Sequence, residues 1–415
     1  MTPAEFYTAQ FYSWECRGRG WYVSDYPVQL EPPFIPYFRQ GFPREHIDDG
    51  KRHTLVSKFL ENLNGKHKPN TADQNLLDYE TIEPFEYKAE IHLQTLQVKL
   101  SKDRRITPER MKALLIMLSY INTPVSFEII GTGSEIIIQF VCDEVYIDTL
   151  ETYINAYFPQ CAVIQSNTYL ETILQEHLST AVVDFGLKHE FIRPINTSKN
   201  FSLDPLIGFL GVLDKLGADE QAGMQVLFQP ALNQWSESII KSVTMYDGTS
   251  FFTDAPEAPL LAKEKVQSPL YGVSIRTFAQ AIELTQAFTL LERISFAIIN
   301  GSKGSTNQLI PLSTQSYDFQ TRVDDILLRE SHRLGMLLNV DELISLVHFP
   351  SETINSKKLF TASRKTTETP AIAQGKAFIL GENNHNGIKT TVSFGLEDRL
   401  KHSHIIGATG PENRR

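Results

Sequence analysis

Between about residues 86 and 166 the spacing of apolar positions predicts the order β-α-β-β-α-β. Ile91, Leu93, Leu96 and Val98 mark a long first strand. Thr107-Pro108 is a helix start, a capping hydroxyl followed by proline at the first helical position. Met111, Leu114, Leu115, Leu118 and Ile121 then recur at three and four residues, an amphipathic stripe. Val125, Phe127 and Ile129 alternate, as do Ile136, Ile138 and Phe140, with Gly131-Thr132-Gly133 as the turn between two strands. Asp143 caps a second helix that carries Leu150, Ile154 and Tyr157 on one face, and Ala162-Val163-Ile164 closes the unit.

The same order returns between about 180 and 312. Val183, Phe185 and Leu187 alternate, and Asp204-Pro205 repeats the cap-plus-proline start ahead of Leu206, Phe209, Leu210 and Leu213. Gly223 to Phe228 reads as a strand, with Tyr271, Val273 and Ile275 as its partner. Phe278 to Ile298 reads as a long apolar-striped helix, and Gln308 to Leu312 as the closing strand. The connection 230–268 exceeds the ~12–15-residue norm for loops, so it is expected to carry structure or function of its own. Within it, Trp235 to Val243 suits a short helix, and Asp254-Ala255-Pro256-Glu257-Ala258-Pro259 an irregular, acidic, mobile stretch.

The predicted fold class is therefore α+β, with two tandem ferredoxin-like units at 86–166 and 175–315. Residues 1–80 form an aromatic- and proline-rich strap and helix before them. Trp14, Trp21, Tyr22, Tyr26, Phe34, Tyr37, Phe38 and Phe42 alternate with prolines there, which suits a chain lying over a surface, its own or a partner's. A helix from Phe319 to Leu337, with Asp324-Asp325 and Arg329-Glu330 as its solvated face, opens a helical connector over 318–360.

Composition narrows the function classes. The net charge of −10 disfavours a main nucleic-acid grip, which needs clustered Lys and Arg. RNA reading by stacked aromatics on the central strands is disfavoured as well, since Ile136, Ile137, Ile138 and Gln139 leave Phe140 as the sole aromatic there. No apolar run reaches the ~18–20 residues that span a bilayer, and Met1 to Phe6 has no signal-peptide pattern. Cys16, Cys142 and Cys161 are far apart, as expected of plain thiols in a reducing compartment. His402, His404 and His385 lack the carboxylate or thiol partners of a metal centre. No Ser/His/Asp or Cys/His spacing points to a hydrolase.

The C-terminal segment carries the sharpest motif. Ala377 to Gly381 and Thr391 to Phe394 form a hairpin across the turn Asn383-Asn384-His385-Asn386-Gly387. Glu397-Asp398-Arg399-Leu400-Lys401-His402 links it to Ser403-His404-Ile405-Ile406-Gly407-Ala408-Thr409-Gly410, a strand turning into a glycine-rich loop. A complete G-x-x-x-x-G-K-[ST] loop would place glycine at 412, lysine at 413 and a hydroxyl at 414. The chain has Glu412, Asn413 and Arg414 instead. The hairpin, the charged link, this loop and the preceding segment Asn339 to Pro350 resemble the lead-in to the motor domain of the HerA/FtsK-like ATPases. That superfamily includes the TraG-like ATPases of conjugation and type IV secretion. The resemblance is firmest over 335–410.

The resemblance implies that 366–415 begins a truncated RecA-like P-loop domain, with Gly407, Ala408, Thr409 and Gly410 as the remnant of its phosphate loop. It implies ATP and Mg as the family's cofactors, neither expected to bind this chain well. It implies a homo-hexamer in the complete protein, DNA gripped by the missing motor, protein partners engaged through the N-terminal region, and a cytoplasmic place that reaches the membrane through partners. The chain would then be the scaffold and assembly region of an ATP-driven DNA translocase, itself without ATPase activity. A stand-alone interaction module, or a fragment or frame-shifted product of the full ATPase, are the alternative expectations.

Overall fold

The computed structural model describes residues 2–41, 92–100, 106–166, 170, 174–175, 177–201, 203–354, 356–359, 368–385 and 388–397. The expected strand residue Ile91, residues 42–80 of the expected N-terminal segment, the phosphate-loop remnant 407–410, His402 and His404 lie outside them.

The first unit runs β1 (Leu93–Lys99), α2 (Pro108–Leu118), β2 (Val125–Gly131), β3 (Ile136–Asp143), α3 (Glu144–Tyr157) and β4 (Ala162–Ser166), after an N-terminal helix α1 (Pro3–Glu15). Local chemistry sets its helix starts. The Thr107 hydroxyl accepts from the Arg110 amide, and the Asp143 carboxylate from the Val145 amide. The second unit runs β5 (Ser179–Leu187), α4 (Ile207–Leu213), β6 (Gln221–Pro230), β7 (Leu270–Ala281), α7 (Leu284–Ser302) and β8 (Leu309–Pro311). Two helices, α5 (Trp235–Val243) and α6 (Ala258–Lys265), fill the long β6–β7 connection.

The strands form one sheet in the order β4-β1-β3-β2-β6-β7-β5-β8, every neighbouring pair antiparallel. Each unit contributes four strands in equivalent order, and the two halves meet where β2 pairs with β6 from Val125↔Phe228 to Gly131↔Ala222. This edge-to-edge seam hides two strand edges that would otherwise template association. One face of the sheet carries Phe127, Phe140, Met224, Val226 and Ile275 into the main core under α2, α3, α4 and α7. The other face holds a small cluster of Ile130, Val182, Phe278 and Ile326.

Several elements depart from the sequence pattern. Phe278 is a strand residue, because β7 continues to Ala281 with β6 on one edge and β5 on the other, and α7 starts only at Leu284. The helix expected over 319–337 is α8 (Phe319–Leu328), which stops where Arg329 adopts a left-handed conformation at φ 56°. Met336–Asn339 is a ninth strand, β9, on the N-terminal half of β7. Within the stretch expected as a helical connector, β9 and Leu359 thus pair with the sheet. Asp324 and Glu330 are exposed, but Asp325 and Arg329 are buried, so the expected solvated face is half wrong. Residues 254–259 are not irregular throughout, for Ala258 is buried and opens α6. Asp204 does not cap α4 directly: Leu206 is the N-cap residue, and the Asp204 carboxylate accepts from the Leu206 amide (2.9 Å) one turn earlier.

The N-terminal strap lies on its own molecule. Trp14 sits among Tyr37, Phe191 and Trp235, and its indole N–H donates to the Ile35 carbonyl (2.8 Å). Glu31 accepts from the Leu232 and Asn233 amides and the Trp235 indole. The backbone of Leu30 passes so close to Gly272 that a Cβ there would lie 2.5 Å from its carbonyl. The hairpin β10 (Phe378–His385) and β11 (Ile388–Phe394) is a separate two-stranded sheet.

Candidate functional site

A cavity of ≈ 230 Å³ opens between the two units. Both cap-plus-proline segments, Thr107-Pro108 and Asp204-Pro205, line it, so equivalent positions of the two units converge there. Met111, Phe201, Leu203, Ile344 and Phe349 give it an apolar wall. The last two come from the segment after β9, whose short helical turn α9 (Val340–Leu343) packs against α2.

That segment is fixed by two ion pairs, one of them fully buried. Asn339 and Glu342 form a capping box, and the Glu342 carboxylate also accepts from the Ile195 amide (3.1 Å) and from Lys265 Nζ (2.6 Å). Lys265 and Glu342 are both fully buried, and burial pushes the lysine ammonium below its ordinary range. Lys112 of α2 reaches Asp341 at 2.7 Å. A buried pair of this kind fixes register more than it adds stability.

One polar dyad stands on the cavity wall. His348 Nε2 lies 2.9 Å from Asp204 Oδ1, and Asp204 Oδ2 accepts from the Ser351 amide at 2.8 Å. Burial alone would raise the Asp204 carboxyl, but the bonds from His348, Ser351 and Leu206 outweigh it and hold the group at about 2. His348 Nδ1 is buried with no hydrogen-bond partner among the described residues. The Ser351 hydroxyl bonds the Thr353 hydroxyl at 2.8 Å, so the trio is not a serine–histidine–aspartate relay. The ionised Asp204 carboxylate fixes the His348 ring through Nε2 and sets its orientation on the cavity wall. The arrangement suits an apolar side chain or a small amphipathic molecule. Sequence reading marked Asp204 as a cap and left His348 unmarked. The two are 144 residues apart, and no local spacing connects them.

A second concentration of buried chemistry crosses the other face of the sheet. Gln139, Glu128, Gln225, Arg276 and Asp184 stand directly opposite one another on β3, β2, β6, β7 and β5. Arg276 Nε donates to Gln225 Oε1 (2.6 Å), Gln225 Nε2 to Glu128 Oε1 (2.7 Å), and Gln139 Nε2 to Glu128 Oε2 (2.6 Å). From α8 and its exit, Arg329 Nε donates to Glu128 Oε1 (3.1 Å), and Asp325 takes bonds from His332 and Tyr317. Sequence reading missed this row. Its signal is a charged or amide residue on each of five largely apolar strands, which gains meaning only once their registers are aligned.

Among the described residues no group of three or more His, Cys, Asp or Glu side chains is placed to hold a metal ion. No described helix is long and apolar enough to cross a membrane.

Comparison with known proteins adds little. No curated protein matches the chain. Among solved structures, a glycine-to-alanine variant of berberine bridge enzyme, titled a reticuline dehydrogenase, aligns at 9% identity and a TM-score of 0.22 over 51% of this chain and 42% of that one. Berberine bridge enzyme from Eschscholzia californica aligns at 8% identity and a TM-score of 0.22 over 65% and 56%. The chain thus spans about half the length of these structures, and scores this low carry no argument about fold or chemistry. The family model "Domain of unknown function (DUF8128)" matches residues 67–255, a stretch that includes the first unit and the second as far as the end of β6 and helix α5.

Proposed function

We propose that this chain is the scaffold and assembly region preceding the motor of a HerA/FtsK-like DNA-translocating ATPase, with its two halves read as ferredoxin-like units fused edge to edge. The observation that carries the reading is the hairpin Phe378–His385 and Ile388–Phe394. It forms its own sheet, apart from the nine-stranded one, and leads in sequence into the link 397–402 and the loop 403–410. The strand order β4-β1-β3-β2 and its equivalent β8-β5-β7-β6 support the tandem ferredoxin-like reading. In this reading the complete protein works in conjugative transfer or type IV secretion as a cytoplasmic homo-hexamer on DNA, and the N-terminal units engage protein partners. The chain itself does not fit ATP and Mg: Asn413 and Arg414 stand at the lysine and hydroxyl positions, and Glu412 would repel phosphate.

Reading the gene beyond codon 410 tests this, together with light scattering of the protein so extended. A G-K-[ST] sequence in another frame, and a DNA-stimulated hexamer, are expected. The chain as it stands should show no ATP binding by calorimetry. Absence of that motif in every frame, or tight ATP binding by the present chain, would overturn the proposal. The cavity at Asp204 and His348 favours a second reading, a stand-alone interaction module that acts by binding alone.

A further inference from the structure

We propose that the cavity beside Arg333 is a binding site for a phosphate-type anion. The cavity is ≈ 440 Å³ and is walled by Trp21, Val23, Ile310, Leu312, Ser313 and Arg333. It belongs to neither the phosphate-loop remnant nor the cavity at Asp204.

Charge carries the argument. The buried network on this face of the sheet holds four guanidiniums, Arg276, Arg322, Arg329 and Arg333, against three carboxylates, Glu128, Asp184 and Asp325. Arg329 is matched by Glu128, and Arg276 lies 3.8 Å from Asp325. Arg322 and Arg333 make no ion pair among the described residues. Arg322 donates to the Val182 carbonyl, and Arg333 to the Trp21 and Ser313 carbonyls (2.8 and 3.1 Å). The Nε of each is buried without an acceptor. Asp184 is the carboxylate whose field reaches both, and burial pushes it toward the protonated form. One positive charge is thus in excess with Asp184 ionised, and two with it protonated. A buried cation without a counter-charge is expensive, and an anion drawn in from solvent relieves it.

The position of the opening follows from the bonds of Arg333. Its two terminal nitrogens hold the carbonyls of Trp21 and Ser313, both residues of the cavity wall, so the guanidinium plane is fixed between them. The wall connects directly to the charged row, for the Leu312 amide donates to the Asp184 carbonyl (2.9 Å). Ser313 Oγ accepts from the Gln315 amide (3.1 Å), which leaves its O–H proton to donate to a ligand. The Trp21 indole is pinned by its bond to the Leu187 carbonyl (2.9 Å). Phosphate, which carries one to two negative charges near neutral pH, can offset an excess of one to two positive charges, and a tetrahedral oxyanion accepts from a guanidinium and a hydroxyl together.

The test titrates the whole chain with inorganic phosphate, and separately with acetate and chloride at matched ionic strength. Binding is followed by calorimetry and by tryptophan fluorescence. Trp14 and Trp235 are buried, so the partly exposed Trp21 reports on the cavity. Saturable phosphate binding, about tenfold tighter than acetate, is expected. Gln315→Glu places a negative charge at the mouth without touching the buried network, and should weaken phosphate at least about threefold while leaving the melting temperature unchanged. Arg333→Gln should abolish binding, and if that variant fails to fold, Gln315→Glu decides alone. Equal responses to the three salts, no saturable phosphate binding, or a Gln315→Glu variant that binds phosphate like the parent would each overturn the proposal.

Discussion

Replacing Glu128 by Gln changes a single oxygen and should unravel the polar row. Glu128 is fully buried, and its two oxygens accept from Ser126, Gln139, Gln225 and Arg329. The row has a fixed direction. Arg276 occupies Gln225 Oε1, so Gln225 must present its NH₂ to residue 128. Gln139 can turn round, because its Oε1 has no partner to lose. A glutamine at 128 therefore meets Gln139 without conflict but sets one amide NH₂ against that of Gln225, or leaves Arg329 with a single neutral acceptor. Removing one member of a buried charge pair costs about 3–5 kcal/mol. The effect belongs at the upper end, because two charge-assisted bonds, each worth about 1.5–3 kcal/mol, are lost in a dry site. Urea unfolding, followed by circular dichroism and by tryptophan fluorescence, should show a lower midpoint at an unchanged slope. The double variant Glu128→Gln/Arg329→Met removes the stranded cation and should recover about 1–3 kcal/mol. A Glu128→Gln variant within about 1 kcal/mol of the parent, or a double variant no better than the sum of the singles, would refute this account of the row.

Three further outcomes follow from other sites. The Asp204 carboxyl is held at about 2 against an ordinary value of 3.8, so its contribution is fully present above about pH 4 and is lost as pH falls toward 2. Asp204→Asn should be less stable at pH 7 by about 2 kcal/mol and should show a flatter stability profile between pH 4 and 2, while parallel profiles would contradict the assignment. At Gly272 an added Cβ meets the Leu30 backbone at 2.5 Å, so Gly272→Ala should displace the strap, cost about 1–3 kcal/mol and speed proteolytic cleavage near residues 24–35; an unchanged digestion pattern would argue against that contact. The Cys142 thiol is buried and pushed up to about 12, Cys161 is buried, and Cys16 is partly exposed. Thiol titration with a disulfide reagent should therefore count one fast-reacting cysteine in the native protein and three in denaturant, and a second fast thiol would show that the first unit opens readily.

Elements whose cause is local were legible in the sequence. Thr107 and Asp143 bond amides two or three residues away, so the residue types and their spacing sufficed. Trp235–Val243 forms the helix its pattern suggested. The alternation of β2 and β3 named their core-facing residues correctly, because the pleat has a period of two wherever a strand lies. The misreadings share one cause. Phe278 fits a helical stripe as well as a strand, and pairing with β5 and β6 decides for the strand. Arg329 and Asp325 look like a solvated helix face until β2 and β7 present Glu128 and Arg276 to them. The candidate cavity was half legible: the two cap-plus-proline segments stood out, but nothing in the chain said that they face each other or that His348 joins Asp204. The loop residues 407–410 that carried the clearest sequence motif lie outside the described residues, so that reading still rests on the motif.

The sequence alone determined the helix starts capped at Thr107 and Asp143, the helix Trp235–Val243 and the apolar faces of β2 and β3, since these follow from sterics and burial within a few residues. The tertiary structure decided that the two units share one sheet, that five polar residues from separate strands align into one row, and that four guanidiniums are buried with three carboxylates on that face. Those outcomes depend on the register between strands up to about a hundred residues apart. Register is set by the simultaneous fit of every side chain on both faces of the sheet, which no local window of sequence contains.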